Sequence, residues 1–278
     1  MVEGFLSGLH ESPYKGFSVE FSDHRKYVPG DEIRRVDWKV YGKTDRYYVK
    51  RFEAETTMEC HLLLDRSASM GFRSKTLPSR FMTKFEYSTA IAAALGYLMI
   101  RQQDAVGMVT FDNRIREYAR PRSRRAHLGN LLSILANCSP AGYTDVSGSI
   151  HEAAALIGKK GLVIALSDFL DEPDDLEKAL SHLRYRGHDV IVFHVLDAAE
   201  ASFPFSGAME FSDPETNVRI KADADAVRAD YLDALADFVA DLKGRCHALG
   251  VDYVQLDTSV SFDQALVSYL SNRKRNYM

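Results

Sequence analysis

From Cys60 onward, short continuous apolar runs alternate with longer segments whose apolar residues recur every three or four positions. The runs 60–64, 105–111, 162–166, 190–195 and 251–256 predict strands buried on both faces. A strand with one wet face would instead alternate apolar and polar residues. Between the runs, Phe85, Ile91, Leu95, Leu98 and Met99 lie mainly along one face of a helix. A longer helix carries Val227, Tyr231, Leu235, Phe238, Leu242, Cys246 and Leu249 as a core-facing stripe, and Gly250 supplies its stop. Strand–helix alternation of this kind predicts an α/β domain: a mostly parallel sheet with helices on both faces.

Two hairpins interrupt the alternation. Residues 116–122 can pair back on the strand ending at Phe111 by turning through Asp112-Asn113. Met209 to Phe211 and Val218 to Ile220 flank the turn-forming Asp213-Pro214-Glu215-Thr216-Asn217. Residues 1–58 differ from the rest. They are rich in charge and in aromatics (Phe17, Phe21, Tyr27, Trp38, Tyr41, Tyr47, Tyr48, Phe52) and lack a long helical stripe. The expected organisation is a β-rich segment over 1–58 and an α/β domain over 59–278.

Composition narrows the partners. The 278 residues are 46% hydrophobic and 27% charged, ordinary for a globular protein, with a formal net charge of only -4. That charge gives no reason to expect nucleic acid or an anionic membrane. The longest apolar run, 90–100, is too short to span a bilayer. The charged residues of the first 13 positions do not form a secretory signal. Cys60, Cys138 and Cys246 lack metal-type spacing and read as small buried hydrophobes in a reducing compartment. A cytoplasmic protein with no membrane span is therefore expected.

Candidate chemistry concentrates where the first run ends, in Leu64-Asp65-Arg66-Ser67-Ala68-Ser69. Alone, Asp-x-Ser-x-Ser after a strand is a weak signal that reads more readily as a helix cap or turn than as a site. Two further residues change the balance. Gly142-Tyr143-Thr144-Asp145 opens a helix and offers the Thr144 hydroxyl, and the run 162–166 delivers Asp168 at its carboxyl end. Asp65, Ser67, Ser69, Thr144 and Asp168 make an all-oxygen set, which selects Mg²⁺, Mn²⁺ or Ca²⁺ over zinc. Asp145 is expected to cap its helix.

This set resembles the metal-ion-dependent adhesion site of von Willebrand factor A domains. Upstream, Arg25-x-Tyr27-x-Pro29-Gly30-Asp31-x-Ile33-Arg34-x-Val36-Asp37-Trp38 resembles the signature of the bacterial family DUF58. Asp213-Pro214-Glu215-Thr216 and the helix of Tyr231 resemble that family's C-terminal half. The resemblance implies a von Willebrand factor A (Rossmann-like) fold. It implies that Ser67, Ser69 and Thr144 are direct metal ligands, while Asp65 and Asp168 orient waters and hydroxyls. It also implies a partner, a MoxR-type AAA+ ATPase, with this chain as a non-catalytic adaptor in chaperone-like assembly or maturation. Neutral hydroxyls leave a cation electrophilic, so it can accept an acidic side chain from a protein client or the ATPase.

Other readings stand beside this one. A strand ending in Asp is shared with haloacid-dehalogenase-like phosphotransferases, but the acid they require two residues later is Ser67 here. A scaffold of the same fold with an idle metal site is a further alternative. Neither a Gly-x-Ser-x-Gly elbow nor a Walker loop is present. Arg25, Asp31, Arg34, Asp37 and Trp38 form either a buried ion-pair and stacking network or a partner surface. Arg114, Arg116, Arg120, Arg122, Arg124 and Arg125 form either a solvated hairpin rim or a patch for an acidic partner.

Overall fold

An antiparallel ladder joins strand β1 (Val19–Lys26) to strand β2 (Tyr48–Ala54) in the computed structural model, with Lys26 opposite Tyr48. The structure describes residues 19–29, 31, 36–54, 59–74 and 82–276. Phe17, Gly30, Ile33 and Arg34 lie outside them. The two strands fit the expected β-rich segment, and the stretch between them holds a short helix α1 (Trp38–Thr44). Asp37 starts it: its carboxylate accepts the Lys39 N–H at 2.9 Å and the Val40 N–H at 3.2 Å, satisfying donors that a helix start leaves free. Trp38 is 56% exposed, so it does not stack into a buried network. Arg25 meets Asp31 at 2.7 Å in a half-exposed pair.

Two compact units result, one within His10–Thr57 and one over Met58–Met278. The second unit begins with β3 (Glu59–Asp65) and continues through α2 (Lys84–Arg101), β4 (Ala105–Phe111) and β5 (Ile115–Arg122). Then come α3 (Arg125–Asn137), α4 (Val146–Leu156), β6 (Gly161–Ser167), α5 (Pro173–Tyr185) and β7 (Asp189–Leu196). The chain ends with α6 (Ala198–Ser202), β8 (Ala208–Ser212), β9 (Arg219–Asp223), α7 (Ala224–Ala248), β10 (Asp252–Asp257) and α8 (Phe262–Asn276).

All five apolar runs became strands of one six-stranded sheet, ordered β10-β7-β6-β3-β4-β5 and parallel except for the edge strand β5. Both faces of β3, β4, β6 and β7 are buried, as the continuous runs require, while the edge strand β10 is only partly covered. Cys60, Leu62 and Leu64 join one core with α2 and α8 residues such as Leu95 and Leu270. Leu63, one position out of phase, joins the opposite core with Ile150 and Leu180 of α4 and α5. The hairpin expected at 209–220 forms as β8 and β9, with Phe211 opposite Ile220.

Helix α7 departs from the expected stripe. Leu242 and Cys246 are buried, but Val227, Tyr231, Leu235 and Phe238 are only partly covered. In the first half of this helix Tyr231 packs on Phe203, ring centroids 4.6 Å apart. Its end follows the expected pattern: Gly250 takes φ +66°, and Val251 N–H returns to Cys246 O at 2.8 Å. Among the described residues no helix is long and apolar enough to cross a membrane.

Candidate functional site

After β3 the chain moves to β4 on one side, and β6 later returns on the other. The crevice at the carboxyl ends of β3 and β6 is therefore a switch point, where an open α/β sheet leaves room for a ligand. Asp65 ends β3, and Asp168 follows the last residue of β6. Both are completely buried.

Asp65 is held on both sides. Its Oδ1 accepts the Ser67 N–H at 2.8 Å, and its Oδ2 accepts the Ser167 hydroxyl at 2.6 Å. The first bond curls the loop so that Ser67 and Ser69 hydroxyls meet at 3.0 Å. Two neighbouring corners of an octahedral Mg²⁺ shell, with bonds of about 2.0–2.1 Å, lie about 3 Å apart, so this pair fits a shared hard cation. Ser69 is also hydrogen-bonded to Asp168. Beyond Asp168 the buried Phe169 turns the chain with φ +52°, and its N–H reaches Ser167 Oγ at 2.9 Å. Ser167 thus braces both strand ends.

Thr144 comes from a different loop, pinned to the first by backbone bonds. Ala141 N–H donates to Arg66 O at 2.8 Å, and Ala68 N–H donates to Gly142 O at 3.1 Å. Gly142 has φ +88°, a region glycine enters without a Cβ penalty. Asp145 caps α4 by accepting the Gly148 N–H at 2.7 Å, the structural role expected of it. The Thr144 hydroxyl donates to Glu215 Oε1, and its N–H donates to Glu215 Oε2 at 2.9 Å.

Charge is concentrated here. Burial raises the Asp65 carboxyl to about 7, and the nearby Asp168 charge adds to the rise against the bonds from Ser167 and Ser67. Burial would raise Asp168 too, but the Lys84 ammonium outweighs it and holds that carboxyl below its ordinary range. Lys84 opens α2 after a Thr83–Glu86 capping box, and its Nζ lies 2.8 Å from Asp168 Oδ2 and 2.7 Å from Glu200 Oε1. Ser69, Lys84, Glu200 and Glu215 line one cavity of about 480 Å³, walled by Phe203 and Phe211.

The donor set suits a hard cation: hydroxyls from Ser67, Ser69 and Thr144, with Asp65 and Asp168 behind them. Among the described residues no group of three or more His, Cys, Asp and Glu forms a metal cluster. Lys84, Ser167, Glu200 and Glu215 were not anticipated as parts of the site. Asp213-Pro214-Glu215-Thr216 announced a turn, but nothing local to Glu215 announces a partner 71 residues away.

The family model "Protein of unknown function DUF58" matches residues 23–239. The chain belongs to the DUF58 family. Uncharacterized proteins of Mycobacterium tuberculosis and Mycobacterium bovis are each 27% identical to this DUF58 chain over 278 residues, covering 99% of it and 86% of the relative. Among solved structures, an aerotolerance-related membrane protein from Bacteroides fragilis is similar with a TM-score of 0.53 at 17% identity, over 79% of this chain and 99% of that one. The VWA domain of SpRpn10 overlaps with a TM-score of 0.46 at 14% identity, over 78% of this chain and 94% of that domain. The DUF58 chain has the von Willebrand factor A-like fold: a mainly parallel sheet, helices on both faces and an Asp-x-Ser-x-Ser loop at the central switch point.

Proposed function

We propose that this DUF58 chain is a non-catalytic protein-binding module that depends on a divalent cation, Mg²⁺ or its substitutes Mn²⁺ and Ca²⁺. One observation carries the reading: the Ser67 and Ser69 hydroxyls meet at the switch point, backed by two fully buried carboxylates, and the loop that carries Thr144 is bonded to theirs. Ser67, Ser69 and Thr144 would hold the ion, with Asp65 and Asp168 orienting hydroxyls and water. The ion's chemistry is to accept a carboxylate from a partner protein. Membership of DUF58 supports a MoxR-type AAA+ ATPase as that partner, with this chain as adaptor in chaperone-like assembly or maturation. Nucleophilic chemistry at Asp65 is disfavoured because both of its oxygens are hydrogen-bonded and buried.

Lys84 favours a second reading, in which the metal site is idle. Its ammonium supplies positive charge to Asp168 from within the chain, so the fold would serve as a scaffold without metal.

Thermal unfolding with Mg²⁺ or Mn²⁺ separates the two. A cation bound only by the native state at 100 times its Kd stabilises by about 2.7 kcal/mol. The expected result is a raised Tm in the wild type and no shift in Ser67→Ala. A wild type unmoved by either ion selects the scaffold reading, and an equal shift in Ser67→Ala removes the site assignment. Affinity capture from native extract, with Mg²⁺ and with EDTA, tests the partner; absence of an AAA+ ATPase under both conditions counts against it.

A further inference from the structure

Glu215 brings a carboxylate to the loop that carries Thr144. Its side chain accepts both the hydroxyl and the N–H of Thr144, the residue that the cation reading makes a ligand. We infer that Glu215 is an internal acidic ligand of the cation site, carried on the β8–β9 hairpin, and that a partner's acidic side chain must displace it. This rests on the cation-binding reading and adds its regulation.

The turn is built to present that carboxylate. Asp213 accepts the Glu215 N–H at 2.9 Å and also the Thr216 hydroxyl, so the residues on either side of Glu215's carbonyl are tied back. Glu215 and Ser69 line the same cavity, so the carboxylate and the serine loop face one shared space. Hard cations take oxygen ligands of this kind, and a carboxylate among neutral hydroxyls is the strongest of them.

The hairpin is held in a way that permits release. Phe211 packs on Phe203 (5.7 Å) and Phe205 (5.9 Å) and the Glu215 tip reaches Thr144, while Val218 and Ile220 on the same hairpin are 56% and 62% exposed. A two-stranded hairpin without a covered face is marginally stable by itself. What Glu215 binds therefore adds to the ring packing of Phe211 in holding the hairpin docked. An internal ligand on a short tether acts at millimolar effective concentration, so it excludes weak acidic partners and yields to one with further contacts.

The test uses the full chain and Mn²⁺ alone. Mn²⁺ affinity is measured by electron paramagnetic resonance, its inner-shell water by proton relaxation, and the hairpin by amide hydrogen exchange over residues 208–223. In the wild type, Mn²⁺ is expected to slow hairpin exchange. Glu215→Gln is expected to bind Mn²⁺ about 10-fold more weakly, to gain relaxivity as water replaces the carboxylate, and to lose the Mn²⁺ effect on exchange. Asp213→Asn, which loosens the turn and keeps the carboxylate, is expected to weaken binding less. If Mn²⁺ binding is abolished by Ser67→Ala but Glu215→Gln matches the wild type, the internal ligand is overturned and the cation reading survives. If the wild type binds no Mn²⁺, or Ser67→Ala binds it normally, both fall together.

Discussion

The Lys84 ammonium lies 2.8 Å from the Asp168 carboxylate, and neither side chain is more than 1% exposed. The first residue of α2 is thereby tied to the end of β6, and through Glu200 to the start of α6. An ammonium in the protein interior is tolerated only because its charge and donors are matched.

Removing that ammonium should be costly. Lys84→Met leaves Asp168 buried and Glu200 part-buried without their cation, and breaking a buried pair from one side costs about 3–5 kcal/mol. The expected outcome is a fall of that size in unfolding free energy, measured by denaturant titration in EDTA. A loss below about 1 kcal/mol, the range of a surface pair, would mean that the interaction is exposed in solution.

Acid should destabilise the domain through His61. This imidazole is buried in β3, neither ring nitrogen has a hydrogen-bond partner among the described residues, and burial, with His188 adding to it, lowers its pKa to about 4. Because the folded value lies below the ordinary 6.5, the unfolded chain binds the proton first. The contribution is complete above pH 6.5 and is lost as pH falls towards 4, roughly 3 kcal/mol for a shift of this size. His194, also lowered to about 4 by burial, steepens the same limb. His61→Leu is expected to be neutral or stabilising at pH 7 and to flatten the loss between pH 6.5 and 4. Identical pH profiles for the two proteins would rule out His61 as a source.

Asp145 and Thr144 are neighbours with separable roles. Asp145→Ala removes the bond to Gly148 N–H and should cost about 1 kcal/mol, as loss of a helix cap does. That loss should be the same in Mg²⁺ and in EDTA, as read from paired melting curves. A loss appearing only with Mg²⁺ would make Asp145 part of the cation site.

The strands were legible because continuous apolar runs have few alternatives to a sheet covered on both sides. The order of Asp65, Ser67 and Ser69 was legible too, since three residues on one loop carry their geometry in their spacing. The same logic failed for the first half of α7. Its three-to-four spacing predicts a covered face, and what covers Tyr231 is Phe203 beyond the sheet. The Arg25–Trp38 signature was open between network and surface. In the structure Trp38 is exposed, the Arg25–Asp31 pair is half-exposed and Asp37 is buried as a helix cap, while Arg34 lies outside the described residues. All six arginines of the 114–125 segment are exposed on or beside the edge strand β5.

By itself, then, the sequence determined the α/β sheet, its hairpins and the oxygen-rich loop, because periodicity and turn chemistry act over a few residues. Only the tertiary structure decided that Lys84 is buried against acids 84 and 116 positions away. The same is true of Glu215, which closes on Thr144 from 71 positions away. A lysine opening a helix and a glutamate in a turn are locally indistinguishable from solvated charges. Their pairing is a property of strand order and loop packing, which bring distant residues into a region where charges must be matched.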